Sequence, residues 1–167
     1  AKVLSHFREH LTGNVVFIHQ FAEEVAPGGA KPMIEDGCLD GVDVIYGTHL
    51  WSGFPRGMIG CRSGPIMAAT DDFEVRIVGR GGHGGMPHQS VDALLLGTGI
   101  VQQLQWLVSR RVDPLKPAVV TVGSFHAGET YNVIAGEAEL KGTVRTLDGG
   151  VREQVEREME RLIRGVC

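Results

Sequence analysis

Apolar residues fall along this chain in two different rhythms. In the first, Val3, Leu4, Phe7 and Leu11 recur at helical spacing and predict a helix over 2–11, ended by Gly13-Asn14. The unbroken run Val15-Val16-Phe17-Ile18 then predicts a strand that carries two adjacent carboxylates, Glu23 and Glu24, to its C-terminal end before the turn Pro27-Gly28-Gly29. Met33, Ile34 and Gly37 fit a short helix within 30–39 that closes on glycine. A second apolar run, 42–45, predicts another buried strand, parallel to the first because strand–helix–strand order favours that pairing; it leads into Gly47-Thr48-His49. A further strand pair is expected around 58–62, and Ser63-Gly64-Pro65 breaks the pattern, so a domain boundary is expected there, with domains 1–65 and 66–167.

After the break the rhythm is strict alternation. Phe73, Val75 and Ile77 share one face and Glu74 and Arg76 the other, the mark of a half-buried strand over 72–78. The glycine-rich stretch 79–87 follows, with Ser90 as the expected N-cap of a helix over 91–110. Val91, Leu94, Leu95, Val101, Leu104 and Val108 form its expected inner stripe, and Gly97 and Gly99 are candidate points of close packing. Strands are predicted over 118–125 and 138–147, and a last helix over 151–164 turns Val155, Met159, Leu162 and Ile163 inward, with Glu153–Arg157 and Glu160–Arg164 paired outside. The order β-α-β-β-α is one strand short of a ferredoxin-like unit, whose last strand would follow Cys167. The expected fold is α/β: part of an α/β layer, then an α+β domain of ferredoxin-like type.

Composition changes this picture little. The 167 residues are 43% hydrophobic and 22% charged, and the net charge of -4 with no basic run argues against nucleic-acid binding. No apolar stretch reaches the length of a membrane span. The 24 glycines cluster at Gly28-Gly29, Gly79 to Gly85 and Gly149-Gly150 and mark turns. Three cysteines without CxxC spacing fit a reducing cytoplasm better than a disulfide framework. The chain opens without methionine, inside a helical pattern, and reads as an excised piece of a longer protein.

The candidate chemistry gathers at strand ends and in the glycine-rich loop. Parallel strands deliver their C-termini to one rim, so Glu24 and His49 could meet there as half of a four-ligand zinc-type site. Taken alone, such a pair is more often two solvated side chains. His83 has glycines on both sides, which leaves it little packing of its own and suits proton transfer, anion stabilisation or metal binding; a solvated turn histidine is the equal alternative. Arg145, on the polar face of its strand, would clamp a carboxylate if it faces a cleft, and Asn132 follows the turn Gly128-Glu129-Thr130. His6, His10, His19 and His126 carry no spacing signal and read as structural, as does His88, just ahead of the helix N-cap.

The stretches HQFAEEVAPGGAKPMIEDG, GTHLW, GPIMAATDDFEV, GRGGHGGMPHQSVDA, LVSRRVDP, HAGETYNVI and GTVRT, in this order, closely resemble the amidohydrolase branch of the di-metal aminoacylase/carboxypeptidase family, which includes hippurate hydrolases, N-acyl-amino-acid amidohydrolases and auxin-conjugate hydrolases. The resemblance runs from about Gly13 to Cys167. It implies a metal-binding catalytic domain interrupted by a ferredoxin-like lid through which the family dimerises. It also implies two divalent metal ions, zinc or manganese with cobalt or nickel as alternatives, and a small N-acyl amino acid as substrate. By position, Glu23 would be the general base, Glu24 and His49 metal ligands, and His83 a donor to the oxyanion in the partner subunit's site. Asn132 and Arg145 would hold the substrate, Arg145 by its carboxylate. Two departures stand out. The family's NVIPD turn reads Asn132-Val133-Ile134-Ala135-Gly136, and neither the Cys-Gly-His-Asp motif nor the C-terminal histidine that complete the ligand set occurs in these residues. The chain alone is therefore expected to be inactive. A non-catalytic dimerisation and lid module, and a small-molecule-binding ferredoxin-like domain, remain as alternatives.

Overall fold

A computed structural model describes residues 1–25 and 27–167; Ala26, inside the first of the motifs above, lies outside the described residues. The chain forms two compact units, 1–57 and 58–167, divided upstream of the expected Ser63-Gly64-Pro65 boundary.

In the first unit the helices are short. α1 spans Lys2–His6 and a 3-10 turn follows at Arg8–His10, so the helix expected over 2–11 is split at Phe7. α2 spans Ala30–Glu35 and closes through Gly37, whose φ of +84° is the left-handed conformation that glycine adopts without strain. The strands expected over 15–18 and 42–45, and the pair expected over 58–62 at the start of the second unit, are corrections: no strand occurs in them. Their residues are largely exposed, including Val16, Phe17, Val44 and Ile45. The reason lies in their pattern. A run that is apolar on both sides needs a pairing strand beside it and cover on both faces, and this unit contributes two short helices. The partial α/β layer is therefore not formed among the described residues of this unit.

The second unit is the α+β domain that the alternation predicts. β1 (Ala69–Val78), β3 (Ala118–Ala127) and β5 (Glu137–Thr146) make an antiparallel sheet in the order β1-β5-β3, with β5 central. α3 (Ala93–Arg111) and α4 (Gly149–Val166) cover one face. Ile77, Ala138, Leu140, Val144 and Val120 from the sheet meet Ile100, Leu104 and Leu107 of α3 and Val151, Val155 and Met159 of α4 in one core. The other face is polar: Arg76 pairs with Glu137 at 2.8 Å, and Lys141 sits between Glu74 and Glu139. Gly123 makes a bulge in β3, where the register with β5 slips between Val122 and Ser124.

Several details differ from expectation. The N-cap of α3 is Asp92, whose Oδ1 accepts from the Leu95 N–H at 3.0 Å, and Ser90 precedes it. The buried stripe of α3 is Ala93, Gly97, Ile100, Leu104 and Leu107, while Val91, Leu94 and Leu95 are exposed. Two of those inner residues are small, which hides the stripe from a count of large apolar side chains; a Cβ on Gly97 would come within 2.7 Å of the Phe125 ring. On α4, Arg164 and Glu160 pair at 2.9 Å, whereas Arg157 turns to the Glu153 carbonyl oxygen.

Two acids anchor α4. Asp148 caps it by accepting from the Val151 N–H at 2.9 Å, and Lys116 reaches the same carboxylate at 3.1 Å. The Val151 amide, then Lys116, hold this carboxyl below its ordinary value. Asp71 at the start of β1 takes both arms of the Arg152 guanidinium, at 2.8 and 2.5 Å, and this fork lowers its pKa.

Candidate functional site

In the first unit Glu23 and Glu24 are the two central residues of a turn closed by the Val25 N–H on the Ala22 carbonyl oxygen at 3.3 Å, and both are exposed. The turn is entered through Ala22, which has a φ of +49° although it is not a glycine. That left-handed conformation costs an L-residue roughly 1–2 kcal/mol. Such local strain gathers where side chains must be aimed.

His49 is exposed, and its ring lies 5.8 Å from that of Trp51. Its Nδ1 is 2.6 Å from the Leu50 carbonyl oxygen. A carbonyl can only accept, so Nδ1 carries a proton, and in the neutral ring Nε2 keeps its lone pair, the state in which imidazole binds a metal. Glu24 and His49 therefore have the donor chemistry for a divalent cation. Among the described residues, however, no group of three or more His, Cys, Asp and Glu side chains could hold a metal ion.

In the second unit the glycine-rich loop extends the sheet. Past Val78↔Glu137 the ladder continues through the Gly79 N–H on the Gly136 carbonyl oxygen at 2.8 Å. It ends in a two-residue ribbon, β2 (Gly82–His83) against β4 (Val133–Ile134). The loop is glycine-rich because backbone meets backbone there: a Cβ on Gly79 would run into the Val91 carbonyl oxygen, and one on Gly84 would sit 2.9 Å from that of Asn132. Between the pairs Val78↔Glu137 and Gly82↔Ile134 the first strand advances four residues and the second three. One extra residue reverses the pleat. His83, which by simple alternation would share the helix-covered face with Phe73 and Ile77, is carried to the open face.

The arm brings two candidate residues together. His83 stands opposite Val133, and the Gly84 N–H donates to the Asn132 carbonyl oxygen at 2.9 Å. The Thr130 hydroxyl lies 3.5 Å from Asn132 Oδ1. The Gly85 N–H donates to His83 Nδ1 at 2.9 Å. Gly85 lies within GRGGHGGMPHQSVDA and Thr130 within HAGETYNVI, but neither motif assigns them a role; glycine two places after a histidine is the signal that could have pointed to the first.

Arg145 lies elsewhere. It is exposed, opposite Thr70 and Val119 at the far end of the sheet. From Thr70 to Val78 the strand advances roughly 26 Å at its usual rise, and His83 lies beyond that point. A concavity of about 640 Å³ between β1 and α4 is lined by Phe73, Val75, Val155, Met159 and charged flanks, and contains none of the candidate residues.

Comparison with known proteins agrees with this architecture. The chain is 51% identical to an N-acyl-L-amino acid amidohydrolase of Geobacillus stearothermophilus, covering 99% of this chain and 45% of that protein. It is 42% identical to an N-acetylcysteine deacetylase of Bacillus subtilis, covering 100% of this chain and 44% of the other. A crystal structure from Bacillus subtilis, described as a dinuclear metal binding peptidase of the M20 family, superposes with a TM-score of 0.75 at 36% identity, over 98% of this chain and 40% of that one. The chain thus spans less than half the length of the relatives it matches. Residues 70–167, from the first turn of β1 to the end of α4, match the peptidase dimerisation domain, and the chain belongs to that family.

Proposed function

We propose that the whole protein is a metal-dependent amidohydrolase that cleaves N-acyl amino acids, and that residues 70–167 are its lid and dimerisation domain. The observation that carries this reading is the backbone proximity of His83 and Asn132, through His83↔Val133 and the Gly84 N–H on the Asn132 carbonyl oxygen, on an arm built from the family's own motifs, together with relatives named for this chemistry. Glu24 and His49 would hold a divalent cation, zinc or manganese, with ligands from outside this chain. A cation there would supply Lewis acidity to the scissile carbonyl and the attacking water. Glu23 would take the proton of that water and return it to the leaving amine nitrogen. His83 would donate to the oxygen that becomes negative, and Asn132 and Arg145 would hold the substrate, Arg145 by gripping its carboxylate with a planar fork.

The separation within the lid supports a homodimer. An N-acyl amino acid is far shorter than the stretch of sheet between His83 and Arg145, so one lid would not place both on one substrate. Each active site would draw His83 and Asn132 from one subunit's lid and Arg145 from another's. A cytoplasmic location is part of the proposal and rests on three free cysteines, Cys38, Cys61 and Cys167.

The test is hydrolysis of N-acyl amino acids by the full-length protein supplied with manganese or zinc. Glu23→Ala is expected to lower turnover by at least 10²-fold, the usual scale for general-base loss. Undiminished turnover would remove Glu23 from its role.

A further inference from the structure

We infer that the Gly85 backbone amide is a positioning group that locks His83 in one tautomer, with the proton on Nε2, so that the arm presents a hydrogen-bond donor. Two observations carry it. The Gly85 N–H points at His83 Nδ1 at 2.9 Å, and a backbone amide can only donate. Nδ1 is therefore the acceptor, and a neutral ring must keep its proton on Nε2. Gly85 also leaves room for the ring, since a Cβ there would sit 3.2 Å from both Cε1 and Nδ1 of His83. The turn that brings the amide round is closed by the Met86 N–H on the His83 carbonyl oxygen at 2.8 Å. Its first residue is held to the sheet through His83↔Val133.

The contrast with His49 shows what the backbone decides. At His49 a carbonyl accepts from Nδ1–H and, in the neutral ring, leaves a lone pair on Nε2, suited to a cation. At His83 an amide occupies the Nδ1 lone pair and leaves Nε2–H, suited to an oxygen that gains negative charge. The backbone thus sets two histidines to opposite tasks before any ligand arrives. A histidine free to change tautomer would present a lone pair to the oxyanion for part of the time, and repel it. This inference rests on the donor role proposed for His83, but its decisive measurement does not.

That measurement is nuclear magnetic resonance on the protein labelled with 15N, with the His83 signals identified by their loss in His83→Asn. A trans-hydrogen-bond N–N coupling between the Gly85 amide and His83 Nδ1 is expected, with ring shifts of a single Nε2–H tautomer. In Gly85→Pro, which has no amide hydrogen, the ring shifts should move to the averaged values of a solvated histidine. An absent coupling, averaged shifts in the parent, or unmoved shifts in Gly85→Pro would overturn the lock. Because proline could disturb the turn, Gly85→Ala serves as a second variant. It keeps the amide and crowds the ring, so the coupling should weaken while the tautomer stays Nε2–H; loss of that tautomer counts against the inference. In the full-length enzyme Gly85→Pro should lower kcat by roughly 10–100-fold with little change in KM, below the loss expected for removing an oxyanion donor outright. Full turnover in His83→Asn would refute the donor reading instead, and the coupling would still judge the lock.

Discussion

Residues 1–57 and 58–167 have similar shares of large apolar side chains, but they use them differently. Among the described residues, every buried hydrophobic side chain belongs to the second unit, from Ile77 to Met159. In the first, Leu50 is 96% exposed, Tyr46 90% and Ile45 66%. The difference follows from the kind of strand each sequence describes. Alternating strands such as β1 have one apolar face, and two helices from the same stretch of chain can cover it. The run Val15-Val16-Phe17-Ile18 is apolar on both sides and needs neighbours on every side before burial can offset the ordering of its backbone. Apolar content alone does not make a core; local closure of the pattern does.

The largest expected effect tests this directly. Leu104→Ala and Leu140→Ala, both at positions without exposed surface, should each lower the unfolding free energy of the second unit by about 2–5 kcal/mol. Leu50→Ala should change stability by no more than about 0.5 kcal/mol. Denaturant titration followed by circular dichroism measures both, and equal losses would erase the distinction between the units.

The same contrast sets what could be read from the sequence. The five long elements of the second unit, their order and the inward face of α4 follow from period and alternation alone. The inner stripe of α3 does not, because Ala93 and Gly97 are small and Leu94-Leu95 look like core. The strands expected in the first unit misled for the opposite reason: their pattern calls for cover on both faces, and their residues stay largely exposed. At the site, His83 and Asn132 were legible as a loop histidine and a turn asparagine, while their proximity came from the register of β2 with β4. The distance of Arg145 from them is equally a matter of register, which no spacing in the sequence reveals.

A pair of glycine variants sharpens the comparison at smaller scale. A Cβ on Gly142, at the centre of the sheet, would meet the Thr121 carbonyl oxygen and the Phe73 ring, whereas Gly47 has nothing within 4 Å. Gly142→Ala should cost about 1–3 kcal/mol by overpacking. Gly47→Ala should be close to neutral in the same denaturant assay; a costly Gly47→Ala would mean that the first unit is packed after all.

The smallest effect is acid sensitivity, and it belongs to the second unit. Asp71, held by Arg152, and Asp148, held by the Val151 amide and Lys116, both have lowered pKa values. The stability they add is present above the unfolded carboxylate value of about 3.9 and is lost as pH falls through their folded values. Melting temperatures measured from pH 6 to pH 3 should therefore fall, and Asp71→Asn should flatten part of that slope by a few degrees at most, as expected for a solvent-accessible ion pair. An identical slope in the variant would show that the Arg152 fork does not hold α4 to β1.

The extra residue between β1 and β2 has a consequence for how this arm can vary. Because a strand presents its side chains by parity, lengthening or shortening the segment from Gly79 to Gly81 by one residue would turn His83 through half a turn and bury the imidazole against the helices. A change by two would restore its facing and move it outward by one pleat. The tip of the arm is therefore tunable only in even steps, and its reach and its chemistry are set by the same count.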